Sequence, residues 1–204
     1  MITILGTSHV SQESIDKIRK HLKNKDCVCV ELDPIRYHSL LHKETKMPPG
    51  VFPKILHIVQ QKIGRSTGIL PGEEMLTAVQ EARARSVPAY LIDQDIRMTL
   101  TGIKKVPFFE KMSILVPLLV APGRIDASRV PSQRIISTAL REMRKRAPTM
   151  HSVLVTERNA YMASWIDRIA PKYRNVLVVV GAAHSKGLEK ILKAEGHKVR
   201  TVQP

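Results

Sequence analysis

Short apolar segments alternate with longer helix-like segments along the whole chain, and this alternation is its most constraining feature. The apolar segments have the sequences MITILG, DCVCVEL, VPAYLID, NVLVVVGAAH and HKVRTV. Between them, apolar residues recur at helical spacing, as in GEEMLTAVQEARARS, where Met75, Ala78, Val79 and Ala82 share one side. Strands that alternate with helices predict an α/β fold with a largely parallel central sheet and helices on both faces.

Residues 95–150 break this alternation, because they are helical in pattern but interrupted by Pro107, Pro117, APGR and Pro131. We expect one domain over residues 1–204, with 95–150 as a helical insertion. Such an insertion serves as a lid over a cleft or as an interface between two copies of the chain. A separate helix is expected at about 52–62.

Polar side chains follow four of the predicted strands. His9 follows the first, Glu31 the second, Asp93 and Asp95 the third, and His184 the fourth. Ligands of open α/β sheets bind beyond the carboxyl ends of the strands, so these residues are expected to converge. Taken singly, each is more typical of a turn or a helix cap. Their convergence favours a site.

Two histidines and one carboxylate form a set that binds divalent metal ions such as manganese, cobalt or zinc. His9 and His184, together with one of the carboxylates at the strand ends, therefore form a candidate metal site. Glycines before each histidine let the backbone turn sharply, so that both imidazoles can face one cleft. The predicted cleft-lining residues are Gly6, Thr7, Asp93, Asp95 and Gly181.

A long helix is predicted over residues 152–170, and it carries Glu157 and Arg158 near its middle. These two residues form a solvated pair in the simplest interpretation, although adjacent helix positions do not face each other. If Glu157 faces inward, it needs a partner, and a metal site supplies one.

Cys27 and Cys29 lie on one face of the second predicted strand. Their spacing matches neither a redox nor a zinc motif, so both are expected to be buried free thiols.

The net charge of +15 raises nucleic acids and anionic membrane surfaces as partners. The densest basic run, residues 124–146, is typical of solvated helix faces, and the chain lacks the motifs of known nucleic-acid-binding modules. We therefore expect no specific nucleic-acid partner. The longest apolar stretch, 113–121, is too short to cross a bilayer, and no secretory signal precedes the first strand, so a cytoplasmic setting is expected.

Several segments together resemble the TraB/PrgY family, the pheromone-shutdown proteins related to the Tiki proteases and to haem-binding and erythromycin-esterase-like proteins. They are ILGTSHVSQESIDKIRK, DCVCVELDPIRYHSL, PGEEMLTAVQEARARSVPAYLIDQDIRMTL, VTERNAYMASWI and VVVGAAHSKGLEKIL. The family's GT-x-H motif falls on Gly6, Thr7 and His9, its glutamate on Glu31, its arginine on Arg36, and its G-x-x-H motif on Gly181 and His184. The sequence departs from the family pattern at Gln94, where the family has arginine, and at Ala183, where it has glycine.

The resemblance implies a metal-dependent hydrolase that acts on a peptide, such as a signalling peptide. In this hypothesis His9, Glu31 and His184 hold the divalent ion. Glu157 is the general base, and Arg36 or Arg158 stabilises the developing oxyanion. The alternative is a binding protein that sequesters a peptide or haem without catalysis. Many relatives continue into a membrane-spanning region, so a longer native form would be tethered at the cytoplasmic face of a membrane.

Overall fold

The computed structural model describes residues 1–7, 12–42, 72–120 and 133–202. His9, the helix predicted at 52–62, and the breaks predicted at APGR and Pro131 lie outside the described residues.

Five parallel strands form one sheet in the order β3-β2-β4-β1-β5. The strands are β1 (Ile2–Thr7), β2 (Cys27–Val30), β3 (Ala89–Leu91), β4 (Val176–Gly181) and β5 (Val199–Val202). The central strand β4 is the most apolar in sequence, and its residues 176–180 are buried, as expected of a strand covered on both faces. The predicted α/β fold with a parallel sheet is confirmed.

Helices connect the strands. They are α1 (Gln12–Leu22), α2 (Pro34–Leu41), α3 (Glu73–Ala84), α4 (Ile96–Lys105), α5 (Phe108–Val120), α6 (Gln133–Arg146), α7 (Pro148–His151), α8 (Glu157–Ile169) and α9 (Ala182–Ala194). A π-helical turn, Ser152–Thr156, joins α7 to α8. The predicted long helix therefore begins at Pro148 rather than at residue 152.

Alternate strand residues point to opposite faces of the sheet and build two separate cores. On one face, Ile4, Val178 and Val180 pack with Met162 of α8 and Leu188 of α9. The other face contacts α1 and α3, and its buried residues include Leu5, Val28, Val179, Ile18 and Met75. Cys27 and Cys29 are free and buried in the first of these cores, as predicted.

The helical insertion has a small core of its own. Ile103 and Val106, at the end of α4, pack with Met150 and Val153, and Ile114 of α5 lies against them. Pro107 separates α4 from α5 as predicted. The break predicted at Pro117 is wrong, because α5 continues to Val120 and a proline removes only one backbone donor from a helix.

Within the ranges given above, no helix has both the length and the apolar content needed to cross a membrane.

A candidate site at the carboxyl edge of the sheet

The strand register places the carboxyl ends of β1, β2, β3 and β4 at one edge of the sheet. Thr7 pairs with Gly181, and Val30 pairs with both Val179 and Leu91. Glu31 is the first residue beyond β2, and its N–H donates to the carbonyl of Val179 at 2.9 Å. Asp93 follows β3 by two residues, and His184 lies in the first turn of α9. The edge therefore gathers two carboxylates and an imidazole.

Arg158 joins these groups. Its Nη2 atom donates to Glu31 Oε1 and to Asp93 Oδ2, both at 2.5 Å, and its Nε atom donates to Asp93 Oδ1 at 3.1 Å. Its Nη1 atom lies 3.2 Å from His184 Nε2. Only 13% of the Arg158 side chain is exposed. Burial lowers the pKa of this guanidinium, but Glu31 and Asp93 outweigh burial and raise it above its ordinary value. Arg158 is therefore a permanent buried cation between two strand ends.

Arg36 is a second cation at the same edge. It donates through Nε to Asp33 and through Nη2 to Asp93. Asp33 also caps α2, since its Oδ1 accepts from the N–H groups of Ile35 at 3.0 Å and Arg36 at 3.2 Å. One-third of the Arg36 side chain remains exposed, so it is the more accessible of the two arginines.

Glu31 is ionised in this setting. Burial alone raises the pKa of a carboxyl group. Here the positive charges of His184, which is protonated in acid, and of Arg158 oppose the effect of burial, as does the hydrogen bond from the Gly181 N–H. Together they lower the pKa of Glu31 to about 2. The Gly181 N–H donates to Glu31 Oε2 at 2.7 Å, whereas Oε1 faces Arg158 and His184 Nε2, which is 3.3 Å away. Glu31 thus carries a full negative charge at neutral pH.

The lowered pKa of Glu31 predicts how stability changes in acid. A carboxyl group with a depressed pKa stabilises the fold fully above its unfolded value of 4.5, and this stabilisation is lost as the pH falls towards 2. We expect the free energy of unfolding of metal-free protein to lose about 3 kcal/mol over that window through Glu31. Denaturant titrations at several pH values check this. Glu31→Gln should flatten the profile, whereas Glu142→Gln, at a glutamate on α6 whose side chain is 43% exposed, should leave it nearly unchanged. Equal slopes in all three proteins would refute the assignment.

Asn159 fixes the orientation of His184. Its Oδ1 atom lies 2.8 Å from His184 Nδ1, an arrangement that places the ring hydrogen on Nδ1 and leaves the Nε2 lone pair facing Glu31 and Arg158. Both side chains are buried. Burial, as the largest effect, lowers the pKa of His184, so the imidazole is neutral near pH 7.

Gly187 of α9 makes room for Asn159. A Cβ atom at position 187 would lie 2.2 Å from Asn159 Nδ2, closer than any real Cβ contact. Sequence analysis did not identify either residue. Two signals were present: an asparagine on the inward row of an aliphatic helix, and a glycine in a helix interior, where it costs roughly 0.5–1 kcal/mol relative to alanine.

Two of the predicted site residues lie away from this cluster. Glu157 is exposed and accepts a hydrogen bond from Ser152 Oγ at 3.0 Å. Because Arg158 and Asn159 face inward, the helical rotation of about 100° per residue turns Glu157 outward. Asp95 caps α4 through the Arg97 N–H at 2.8 Å and forms an ion pair with the same arginine. A catalytic role for Glu157 stays a prediction.

The remaining predicted residues lie at the carboxyl ends of β1 and β4. Thr7 Oγ1 donates to the carbonyl of Val180 at 3.3 Å. A Cβ on Gly6 would lie 3.3 Å from Ser185 Cβ, so the small residue permits close packing of β1 on α9. Gly181 supplies the N–H that holds Glu31.

Glu74, in the first turn of α3, is a further carboxyl group at this edge that sequence analysis missed. Helix α3 leads into β3 and packs on β2, so it starts at the carboxyl edge of the sheet. Its Oε2 atom is buried and has no hydrogen-bond partner in the described part of the chain. Burial, assisted by the negative charge of Glu31, raises the pKa of Glu74 to about 7.

A different cluster has three metal-type ligands close together. In the described ranges, Asp167, Glu195 and His197 place one ligand atom each within 4.8 Å of one another. They lie at the amino edge of the sheet, beside a cavity of about 280 Å³ lined in part by Ile2 and Val176, and both carboxylates are exposed. At the carboxyl edge, the structure brings Glu31 and His184 together, and His9 lies outside the described residues.

Comparison with known proteins relates nearly the whole chain to one family. Residues 1–201 match the TraB/PrgY/gumN family. The chain is 34% identical to an uncharacterized protein of Methanocaldococcus jannaschii, over 94% of this chain and 53% of that protein. It is 24% identical to the TraB domain-containing protein of Mus musculus and 23% identical to that of Homo sapiens, over 93% of this chain and 62% of each relative.

The chain thus spans less than two-thirds of the length of these relatives. The match covers β1 to β4, all of β5 but its last residue, and every residue of the cluster described above. On this extent of similarity, the chain belongs to the TraB/PrgY/gumN family.

Proposed function

We propose that the protein is a metal-dependent hydrolase of the TraB family that cleaves a peptide, such as a signalling peptide, in the cytoplasm or at the cytoplasmic face of a membrane. His9, Glu31 and His184 would hold the divalent ion. The observation that carries the proposal is the orientation of His184: Asn159 binds Nδ1, and Nε2 lies 3.3 Å from Glu31 Oε1.

The residues at this edge fit a divalent ion chemically. An ionised carboxylate and a neutral imidazole with an unprotonated Nε2 are standard ligands for manganese, cobalt or zinc, and a hydrogen bond to the other ring nitrogen is typical of metal-binding histidines. His9 follows Thr7 by two residues, a reach of at most about 7 Å. Thr7 itself pairs with Gly181, three residues before His184.

Arg158 sets the electrostatic condition for metal binding. Its guanidinium donates hydrogen bonds to Glu31 Oε1 and Asp93 Oδ2, so a metal ion that binds Glu31 has to compete with Arg158. Glu31 Oε2 stays bound to the Gly181 N–H in either case, which keeps the carboxylate in place.

A bound divalent ion would supply a water molecule whose pKa is lowered towards neutrality. The arginines would supply positive charge where an oxyanion develops, and Arg36 is the more exposed of the two. Glu74 suits the role of general base better than Glu157, because it is buried at the carboxyl edge, whereas Glu157 is exposed and bound to Ser152.

Sequestration of a peptide or haem without catalysis is the second candidate. One observation favours it: Arg158 already pairs with both Glu31 and Asp93, so an incoming metal ion would have to compete with existing ion pairs.

A cleavage assay tests the proposal. The chain, loaded in turn with manganese, cobalt and zinc, is incubated with a peptide mixture that is followed by mass spectrometry, with and without a chelator. We expect metal-dependent cleavage that falls by about 100-fold or more in Glu31→Gln and Glu74→Gln, and by less than about threefold in Glu157→Gln. Saturable binding of a peptide or haem with no product under all three metals would instead establish sequestration.

A further inference from the structure

Two phenylalanines stand exposed at the start of α5. Phe108 is 73% exposed and Phe109 is 67% exposed, although large aromatic side chains are usually buried. Val116, at 50% exposure, lies seven residues beyond Phe109 and therefore on the same side of the helix. The outward face of α5 is thus an apolar stripe.

The opposite face of α5 already has a packing partner. Ile114 lies against the small core of the insertion, and the buried Glu110 accepts a hydrogen bond from the Met150 N–H at 2.9 Å. A helix that is apolar on both sides is normally covered on both sides. Phe108 and Phe109 therefore form an apolar surface that the described part of the chain leaves open to a partner.

Basic residues surround the two phenylalanines. Lys104 and Lys105 end α4 just before them, and Lys111 reaches back to the Lys104 carbonyl at 3.0 Å. The acidic residue of α5, Glu110, is 2% exposed, so it does not offset these charges at the surface. We call Lys104, Lys105, Phe108, Phe109 and Lys111 the α4–α5 corner.

The whole insertion shares this charge. Residues 95–150 contain eleven lysines and arginines against four aspartates and glutamates, so about a quarter of the chain carries nearly half of the net charge of +15. This concentration gives the corner a positive field that extends over its surroundings.

We propose that the α4–α5 corner binds the surface of an anionic phospholipid bilayer. Aromatic rings insert at the boundary between headgroups and acyl chains, and lysines beside them bind anionic headgroups. A second copy of this chain is a poorer partner, because a two-fold contact would set two sets of three lysines against each other. The inference is independent of the hydrolase proposal, since it uses none of the residues of the carboxyl-edge cluster.

Vesicle co-sedimentation of the full chain tests this assignment. The vesicles contain phosphatidylcholine alone or phosphatidylcholine mixed with phosphatidylglycerol. We expect binding to the anionic vesicles that exceeds binding to the neutral ones by about tenfold or more. Phe108→Ser with Phe109→Ser should weaken it by about tenfold for each ring, and Lys104→Gln with Lys105→Gln by about fivefold for each lysine.

A matched variant separates local recognition from net charge. Lys172→Gln with Lys190→Gln removes the same charge from exposed sites elsewhere and should weaken binding by less than about threefold. Circular dichroism should show the same helix content in all variants. Equal binding by the phenylalanine variant and the parent chain overturns the proposal. A concentration-dependent dimer that the phenylalanine substitutions dissolve, without vesicle binding, also overturns it and makes the corner a dimer interface.

Discussion

Replacing Arg158 with methionine is expected to lower the free energy of unfolding by about 3–5 kcal/mol at neutral pH. Methionine keeps much of the aliphatic stem but leaves Glu31 and Asp93 buried without the cation that now touches both at 2.5 Å. Removing one partner of a buried ion pair costs more than the pair itself contributes, because the remaining charge keeps the cost of its burial. Asp93 keeps its ion pair with Arg36, whereas Glu31 loses the guanidinium at Oε1. Urea denaturation of metal-free protein at pH 7 measures the change.

Arg158→Lys should lower the free energy of unfolding by less than Arg158→Met does, because lysine keeps the charge but not the forked geometry that bridges two carboxylates. Arg141→Gln is the matched control: Arg141 is exposed and its Nη2 lies 3.4 Å from Thr138 Oγ1, so its loss should change stability by no more than about 0.5 kcal/mol. If Arg158→Met were as mild as Arg141→Gln, Arg158 would not be the buried hub of the cluster.

Gly187→Ala is expected to damage the site without touching a charged group. The new Cβ would lie 2.2 Å from Asn159 Nδ2, so the Asn159 side chain must move and release His184 Nδ1. Buried polar atoms left without partners cost about 1–3 kcal/mol. If His184 binds a metal, the affinity should also fall by about 10- to 100-fold, as when other partners of metal-binding histidines are removed.

A double-mutant cycle with Asn159→Ala identifies the cause. Once Asn159 is shortened, the clash is gone, and Gly187→Ala should then be neutral or stabilise the protein by up to about 1 kcal/mol, because alanine favours a helix interior. Additive effects of the two substitutions would show that Gly187 does not act through Asn159. Unfolding midpoints of the four proteins are sufficient for the comparison.

The sheet could be predicted from the sequence because burial on both faces leaves a direct pattern. Within NVLVVVGAAH, the run VLVVVG has no polar side chain, as a central parallel strand requires, and it forms β4. The carboxyl-edge rule then placed Glu31, Asp93 and His184 together without any knowledge of side-chain contacts.

The partners of these residues could not be predicted in the same way. Whether Glu157 or Arg158 faces inward depends on the rotation of one helix, and the π-helical turn just before it alters that rotation. The contact between Asn159 and Gly187 joins two helices, and Glu74 owes its raised pKa to burial. Such pairings arise from tertiary packing, which local spacing does not encode.

The metal content of the purified protein tests most directly whether the carboxyl edge of the sheet holds a divalent ion. After dialysis against manganese, cobalt or zinc and removal of free ion, elemental analysis should find about one ion per chain in the parent protein, as three protein ligands to one ion imply. His9→Ala, Glu31→Gln and His184→Ala should each lose most of it. His197→Ala, at the amino-edge cluster, should retain it. If His9→Ala and His184→Ala retain as much ion as the parent chain, the carboxyl edge is not a metal site.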